Sequence, residues 1–395
     1  MKKQLVFLFV IIVVFGCQKL LPPAIAEDET LDGAIGGLTM EQNARFLSGD
    51  NAFNNEIFTK EAGLGPLFVA TSCGTCHAGD GKGHPFTTLT RYGQSDSTGN
   101  QFLQMGGPQL QHRALPGFLP EQVPLGATFA KFMPPANTGL GLMEAVTDAT
   151  LLSLADEYDA DRDGISGRPN WITIPIYINV IPGAIQQNGK YIGRFGKKAS
   201  IYNLLQQTAG AYNQDIGITS TYEPVDTYTG VEIDPEVSNK TLQDVVFYLQ
   251  TLKAPLQRNT SDPAVQQGKQ LFINVGCGKC HTPQLQTGQS VINALSDKTI
   301  NPYSDLLLHD MGNELDDKYT EGAAKTSEWR TSPLWGLGLS KISQGGQYFL
   351  LHDGRAKSIG EAILLHGGEG QQSKLNFQLL TTEAKKSLLT FLESL

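Results

Sequence analysis

Positive charge is in the minority: 30 Lys and Arg face 39 Asp and Glu in 395 residues, a formal net charge of −9. A nucleic-acid binder needs a basic face, so that class is excluded. Long apolar runs are also lacking. Only Leu5 to Phe15 is apolar throughout, too short for a comfortable bilayer span. Strand-type alternation is scarce, whereas 43 Gly and 20 Pro punctuate the chain, which predicts short helices joined by long irregular loops. Cysteine is rare: of five, four sit in two Cys-x-x-Cys-His pentads and the fifth ends the apolar run, leaving none for disulfides. With 40% apolar residues, the chain is long enough for two or three cores.

The amino terminus reads as an export address. Lys2 and Lys3, the apolar run and Gly16-Cys17 have the order of a signal peptide, and the Gly-Cys pair resembles the lipobox of bacterial lipoproteins. The expectation is a signal peptide over 1–16, a lipid anchor at Cys17 and a place in the bacterial periplasm or cell envelope, anchored to the outer membrane. An uncleaved anchor, or an ordinary signal with an incidental cysteine, is the other reading. Residues 17–40, with Pro22, Pro23 and the acids Glu27, Asp28, Glu29 and Asp32, lack helical periodicity and read as a tether.

Two copies of one module follow. An amphipathic helix precedes the second pentad in DPAVQQGKQLFINVGCGKCH (262–281), and FNNEIFTKEAGLGPLFVATSCGTCH (53–77) is a looser counterpart. A GLGL core begins 62 residues after His77 and again 55 after His281. Each half closes with an amphipathic helix, TLQDVVFYLQTL (241–252) and TEAKKSLLTFLESL (382–395). The expected fold is mainly α, with two cytochrome c-like domains and long loops. The first spans 41–256 and carries an insertion over about 144–240; the second spans 257–395.

The pentads carry the chemistry. In an exported protein Cys-x-x-Cys-His attaches c-type haem: Cys73 and Cys76, then Cys277 and Cys280, bond the porphyrin vinyls, while His77 and His281 take the irons. A thioredoxin-like pair would sit in a βαβ pattern that is missing here, and tetrahedral zinc would leave the histidines and the repeat without purpose. Sixth ligands are sought among the remaining histidines 84, 112, 309, 352 and 366 and the methionines. Met133, in Phe-Met-Pro-Pro, is similar to the distal-ligand loop of small cytochromes c; the alternative is a core methionine. Trp335, in the second GLGL, is a candidate for aiding electron transfer between haems, or a core residue. Asp159, Asp161 and Asp163 with Gly164 match half of an EF-hand loop and make a candidate calcium site, although position twelve is Asn170 rather than Glu. Arg194, Lys197 and Lys198 are candidate partners for haem propionates.

TSPLWGLGLSKISQGGQYFLLHDGRAKSIGEAILLHGGEG (331–370), with HDGRA at its core, resembles the C-terminal haem domain of bacterial di-haem cytochrome c peroxidases and the methylamine-utilisation di-haem enzyme. GLGLMEAV, DADRDGISGRPN, IGRFGKKAS and DIGITS resemble the di-haem oxidoreductase family, also called thiol oxidoreductases. The resemblance implies that His352 lines the second haem pocket. It also implies that His366, 14 residues further on where the peroxidases carry a methionine, is the distal ligand of that haem. The related peroxidases carry a distal-pocket glutamate after GLGL, which points to Glu144 as proton-transfer residue, with Glu121 as runner-up. They also hold calcium between their domains. The implied activity is peroxide reduction at the first haem, fed by a small electron-donor protein through the second. A non-catalytic di-haem electron carrier with two six-coordinate irons is the alternative.

Overall fold

The computed structural model describes residues 26–93, 102, 105 and 108–395. The signal segment and Cys17 lie outside the described residues. Residues 26–30 carry a single helical turn, Glu27–Glu29, and Leu31–Leu395 form one compact unit. Its frame is α1 (Met40–Asn55), α2 (Leu204–Ala211), α3 (Asn239–Thr251), α4 (Pro263–Val275), α5 (Ile359–Leu364) and α6 (Thr382–Ser394). Among the described residues, strands occur only as short two-stranded antiparallel ladders.

Local chemistry sets the helix ends. Thr39 opens α1 with a reciprocal capping box to Gln42 (3.1 and 2.9 Å). Asp262 accepts from Ala264 N at 2.7 Å with Pro263 in the first turn, and α4 stops at Gly276, whose left-handed φ of +102° delivers the chain straight into Cys277.

The two halves repeat the same crossings. α1 packs on α3 at Gly49, where a Cβ would run into the Asp244 carbonyl; α4 packs on α6 at Gly268, where it would run into that of Ser387. Phe46 and Phe53 lie against Tyr248, with centroids 5.0 and 5.5 Å apart, and Phe272 lies against Phe391 at 5.5 Å. Such aromatic pairs add about 0.5–1.5 kcal/mol each beyond their buried area. The GLGL repeat acquires a meaning too. Gly141 abuts the Gln250 carbonyl of α3 and Gly338 abuts that of Glu393 in α6, so each motif docks its half's closing helix.

The junction near residue 257 is no gap. Leu285, Leu295 and Leu306 of the second half belong to the core built on α1 and α3. The 144–240 segment also reaches across: Arg168 grips Glu328 through Nε (2.9 Å) and Nη2 (2.5 Å), and Ser166 holds Glu369. Residues 31–38, expected to belong to the tether, instead pack on the body. Ala34 bridges to Leu252, Ile35 N donates to Thr251 O at 2.7 Å, and Leu31 is buried. The free carbonyls at the end of α3 account for this.

Two ladders frame the centre: β1 (Leu89–Tyr92) with β2 (Phe129–Phe132), and β3 (Leu308–Asp310) with β4 (Glu328–Arg330). They place Phe132, Trp329 and Arg330 at the junction of the halves.

Candidate functional site

Each pentad opens onto a cavity. Ser72 caps the turn Cys73–Cys76 by accepting from Thr75 N at 3.2 Å, which sets both thiols on one turn before His77. His77 Nδ1 lies 3.0 Å from Pro135 O, and His281 Nδ1 lies 2.9 Å from Tyr303 O. A carbonyl on Nδ1 fixes tautomer and ring orientation and leaves Nε2 for a metal. Burial pushes both imidazoles down to about 4, which keeps them in the neutral ligating form. Burial also pushes Cys73, Cys76 and Cys277 up to about 12, and Cys280 upward. Disulfide exchange needs a thiolate, so these thiols are unsuited to it.

Counted with their open mouths, the cavities measure about 1960 and 1350 Å³. The first is walled by Phe53, Leu89, Phe132 and Val245, the second by Phe272, Leu334, Leu350 and Ile359. Lys82, Lys197 and Arg330 line both, and among the described residues no carboxylate forms an ion pair with them. Burial pushes them down to about 8, 7 and 10, with Lys82 and Arg330 further depressing Lys197. Cations crowded together with no ion-paired carboxylate, and only the more distant Asp353 and Asp305 opposing them, call for anions. Thr138 Oγ1, Thr208 Oγ1 and Tyr212 Oη are buried, unbonded and on the first wall. Apolar walls, paired thiols, an imidazole with a free Nε2 and an unneutralised cationic seam fit a haem with its propionates in each cavity. Of the expected propionate partners only Lys197 belongs to the seam. Arg194 is wholly buried on Asp148 and the Val146 carbonyl, and Lys198 donates to three carbonyls.

The second cavity contains three further histidines in different states. His309, 3% exposed, lies between Glu369 (2.6 Å) and Asp305 (2.8 Å); burial opposes its charge, but these partners raise its pKa well above normal. His352 points Nε2 at Asp317 (2.7 Å) and stacks on Trp329 at 3.7 Å. His366, beyond α5, rests Nδ1 on Ala362 O at 2.7 Å and keeps Nε2 unbonded, as His281 does. The two are close enough for His366 to depress the basicity of His281.

The first cavity differs. Among its described lining residues His77 is the only imidazole. Met133 lines it, with its sulfur 3.7 Å from Gln344 Nε2 and packed against Gly354. His84 is absorbed in capping Phe86 N at 3.3 Å.

Glu144 does not reach the cavity. Its carboxylate is drawn back to Leu204 N and Gln250 Nε2, both at 2.7 Å, where it tethers α2 to α3. Glu121 is likewise spent on Gln111 N at 2.6 Å. Glu144→Gln is therefore expected to change turnover less than about twofold while lowering stability by ~1–3 kcal/mol, the cost of one unsatisfied buried donor, read by thermal melting.

Two acids do line the first cavity: Glu321, which pairs with Arg91, and Asp215. Asp215 lies on the π-helical turn Tyr212–Ile216 that continues α2, a distortion frequent at functional sites. Its backbone carbonyl anchors Val69 and Ala70 N at 2.7 and 3.0 Å; its carboxylate has no hydrogen bond or ion pair among the described residues. Burial raises it to about 7 against the opposing pull of Arg91, which itself pairs with Glu321 at 2.6 Å. No local signal in the sequence marks it, since it follows Asn213 and Gln214 in a polar stretch.

Trp335 lines only the first cavity, against Gly139; the aromatic at the partition is Trp329. In the acidic loop, carboxylates converge from Asp156, Asp159 and Asp161, while Asp163 turns to Lys279 of the second pentad at 2.9 Å. Asn170 is buried, donating to Lys198 O and Glu321 O, and is no ligand.

Two cavities, each ending on a Cys-x-x-Cys-His pentad and joined by one cationic wall, define a protein built to carry two haems. The chain belongs to the family described as "Di-haem oxidoreductase, putative peroxidase", whose model matches residues 118–395. No curated protein matches the sequence. Among solved structures it is similar to a chain of Kuenenia stuttgartiensis hydrazine synthase pressurised with 20 bar xenon, with 12% identity over 95% of this chain and 94% of that one and a TM-score of 0.40, a likeness too distant to carry function.

Proposed function

We propose that this di-haem oxidoreductase reduces a peroxide in the first cavity with electrons that enter through the second. The observation that carries the reading is the asymmetry of the cavities: a second imidazole with a free Nε2, His366, stands in one, and an unpartnered carboxyl, Asp215, stands in the other. An electron-storing site wants both axial positions filled, whereas a reactive site wants one open and a proton carrier beside it.

Cys73, Cys76 and His77 would hold one haem c and Cys277, Cys280 and His281 the other, and the bound haems would supply the redox chemistry. Peroxide, two electrons and two protons become two waters. Asp215 takes and returns the proton between the two oxygens, Arg91 holds its charged form within reach, and Lys82, Lys197 and Arg330 neutralise the propionates. A small donor protein at the bacterial envelope feeds the second site, with a lipid anchor at Cys17 keeping the chain at the membrane, and calcium binds at Asp156, Asp159 and Asp161. Met133 and Met143 in the first wall favour one other reading: a methionine-ligated first iron would make the protein an electron carrier.

Mass spectrometry of the denatured protein, made with the haem-attachment machinery, tests the attachment. Two haems per chain are expected, and exactly one is expected after Cys73→Ala/Cys76→Ala or Cys277→Ala/Cys280→Ala. Haem lost on denaturation contradicts thioether attachment. Peroxide consumption with a reduced small donor tests the activity, and its absence in fully haem-loaded protein contradicts it.

A further inference from the structure

β4 brings Trp329 into the partition. Trp329 lines the second cavity and Phe132 of β2 lines the first, with their rings 5.8 Å apart at 77°. An oxidising equivalent in the first cavity therefore meets an indole one phenyl ring away, and indole gives up an electron far more readily than phenyl. Two features oppose that loss.

Lys198 Nζ sits 3.8 Å from the Trp329 ring centroid. It donates to the carbonyls of Lys325 (3.1 Å), Thr326 (3.1 Å) and Glu328 (2.7 Å), three acceptors for the three N–H bonds of an ammonium. An ammonium at that distance stabilises the electron-rich indole and repels the cation that oxidation would create. Trp329 Nε1 donates to Leu315 O at 2.7 Å, and an amide carbonyl is too weak a base to take the proton that an oxidised indole sheds. The stacked His352 adds no charge of its own, because burial lowers its pKa despite Asp317.

We infer that Lys198 shields Trp329 from oxidation, so that electrons cross the partition without the indole being consumed. The inference rests on the peroxidase reading for its biological purpose, and its test has an arm that does not. Without the shield, peroxide would transfer one oxygen to the indole, giving hydroxytryptophan and water, with the indole losing the two electrons that peroxide gains.

The experiment treats holoprotein carrying both haems with one equivalent of hydrogen peroxide without donor, then maps oxygen addition at Trp171, Trp329 and Trp335 by peptide mass spectrometry. A parallel arm uses a photogenerated one-electron oxidant in place of peroxide. In the wild type Trp335, on the first wall, is expected to be oxidised and Trp329 spared. Lys198→Met is expected to raise Trp329 oxidation roughly thirtyfold, the equivalent of a desolvated cation–π contact of about 2 kcal/mol, and Lys198→Arg to stay near wild type. Trp329 oxidised in the wild type at least as much as Trp335, or equally in Lys198→Met and wild type, overturns the shield; the wild-type comparison decides even if Lys198→Met does not fold. No reaction with peroxide but the expected ordering with the photo-oxidant overturns the peroxidase reading and leaves the shield standing.

Discussion

Asp215→Asn lowers peroxide turnover by about 10²–10⁴-fold with both haems still attached, the range that loss of a positioned proton carrier costs. The geometry makes the expectation specific. Asp215 is the first-cavity acid without a hydrogen-bond partner, whereas Glu144 is spent on Leu204 N and Gln250. Asparagine keeps the size and the backbone contacts that hold Val69 and Ala70, and removes only the proton exchange. Burial raises Asp215 to about 7, so the carboxylate that accepts the first proton is lost as pH falls through that value. Wild-type turnover is expected to rise from pH 5 to 8 with a midpoint near 7, and the variant to lose that limb. A variant with wild-type turnover and an unchanged pH profile would remove Asp215 from the chemistry.

His366→Met is expected to raise the midpoint potential of the second haem by on the order of 200 mV, a fraction of the roughly 0.8 V that axial ligation spans. His366→Ala is expected to convert that haem from low to high spin. The reason is that His309 and His352, the other histidines of the cavity, are held by Asp305 and Glu369 and by Asp317, so neither is free to replace it. Spectroelectrochemistry of both variants checks this. An unchanged potential and a low-spin spectrum in His366→Ala would place the ligand elsewhere, with Met311 on the same wall the first to test.

Local and periodic features were legible in the sequence. The pentads, the GLGL repeat and the closing helices fell where the structure has them, because spacing along one helix or turn is a local property. The repeat explains itself in contacts at Gly141 and Gly338 against α3 and α6. The place of His366 in the second cavity was reachable because its offset from His352 is a single helix; its role as a ligand is part of the proposal. Long-range geometry was not legible. Glu144 stands where a pocket acid would, but its carboxylate points backwards onto α2, a direction that sequence position does not encode. Asp215 reads as one more polar residue until the π-turn rotates it into the cavity. The cationic seam draws Lys82, Lys197 and Arg330 from three distant segments, so the run Arg194 to Lys198 pointed at two residues with other duties. Trp329 and Trp335 are six residues apart and equally plausible by eye; β4 pairing with β3 sends Trp329 to the partition. In the acidic loop, Lys279 takes Asp163 out of the converging set.

The two haem sites are proposed to differ, one iron taking two imidazoles and the other keeping an open position. Low-temperature EPR of the haem-loaded protein, fully oxidised and then half-reduced, reads the difference directly. The expected result is a low-spin signal from the second haem together with a high-spin ferric signal from the first, in the resting or the half-reduced state, and a high-spin signal that changes on adding peroxide. Two low-spin signals in both states, unaffected by peroxide, would contradict the account and leave a di-haem electron carrier.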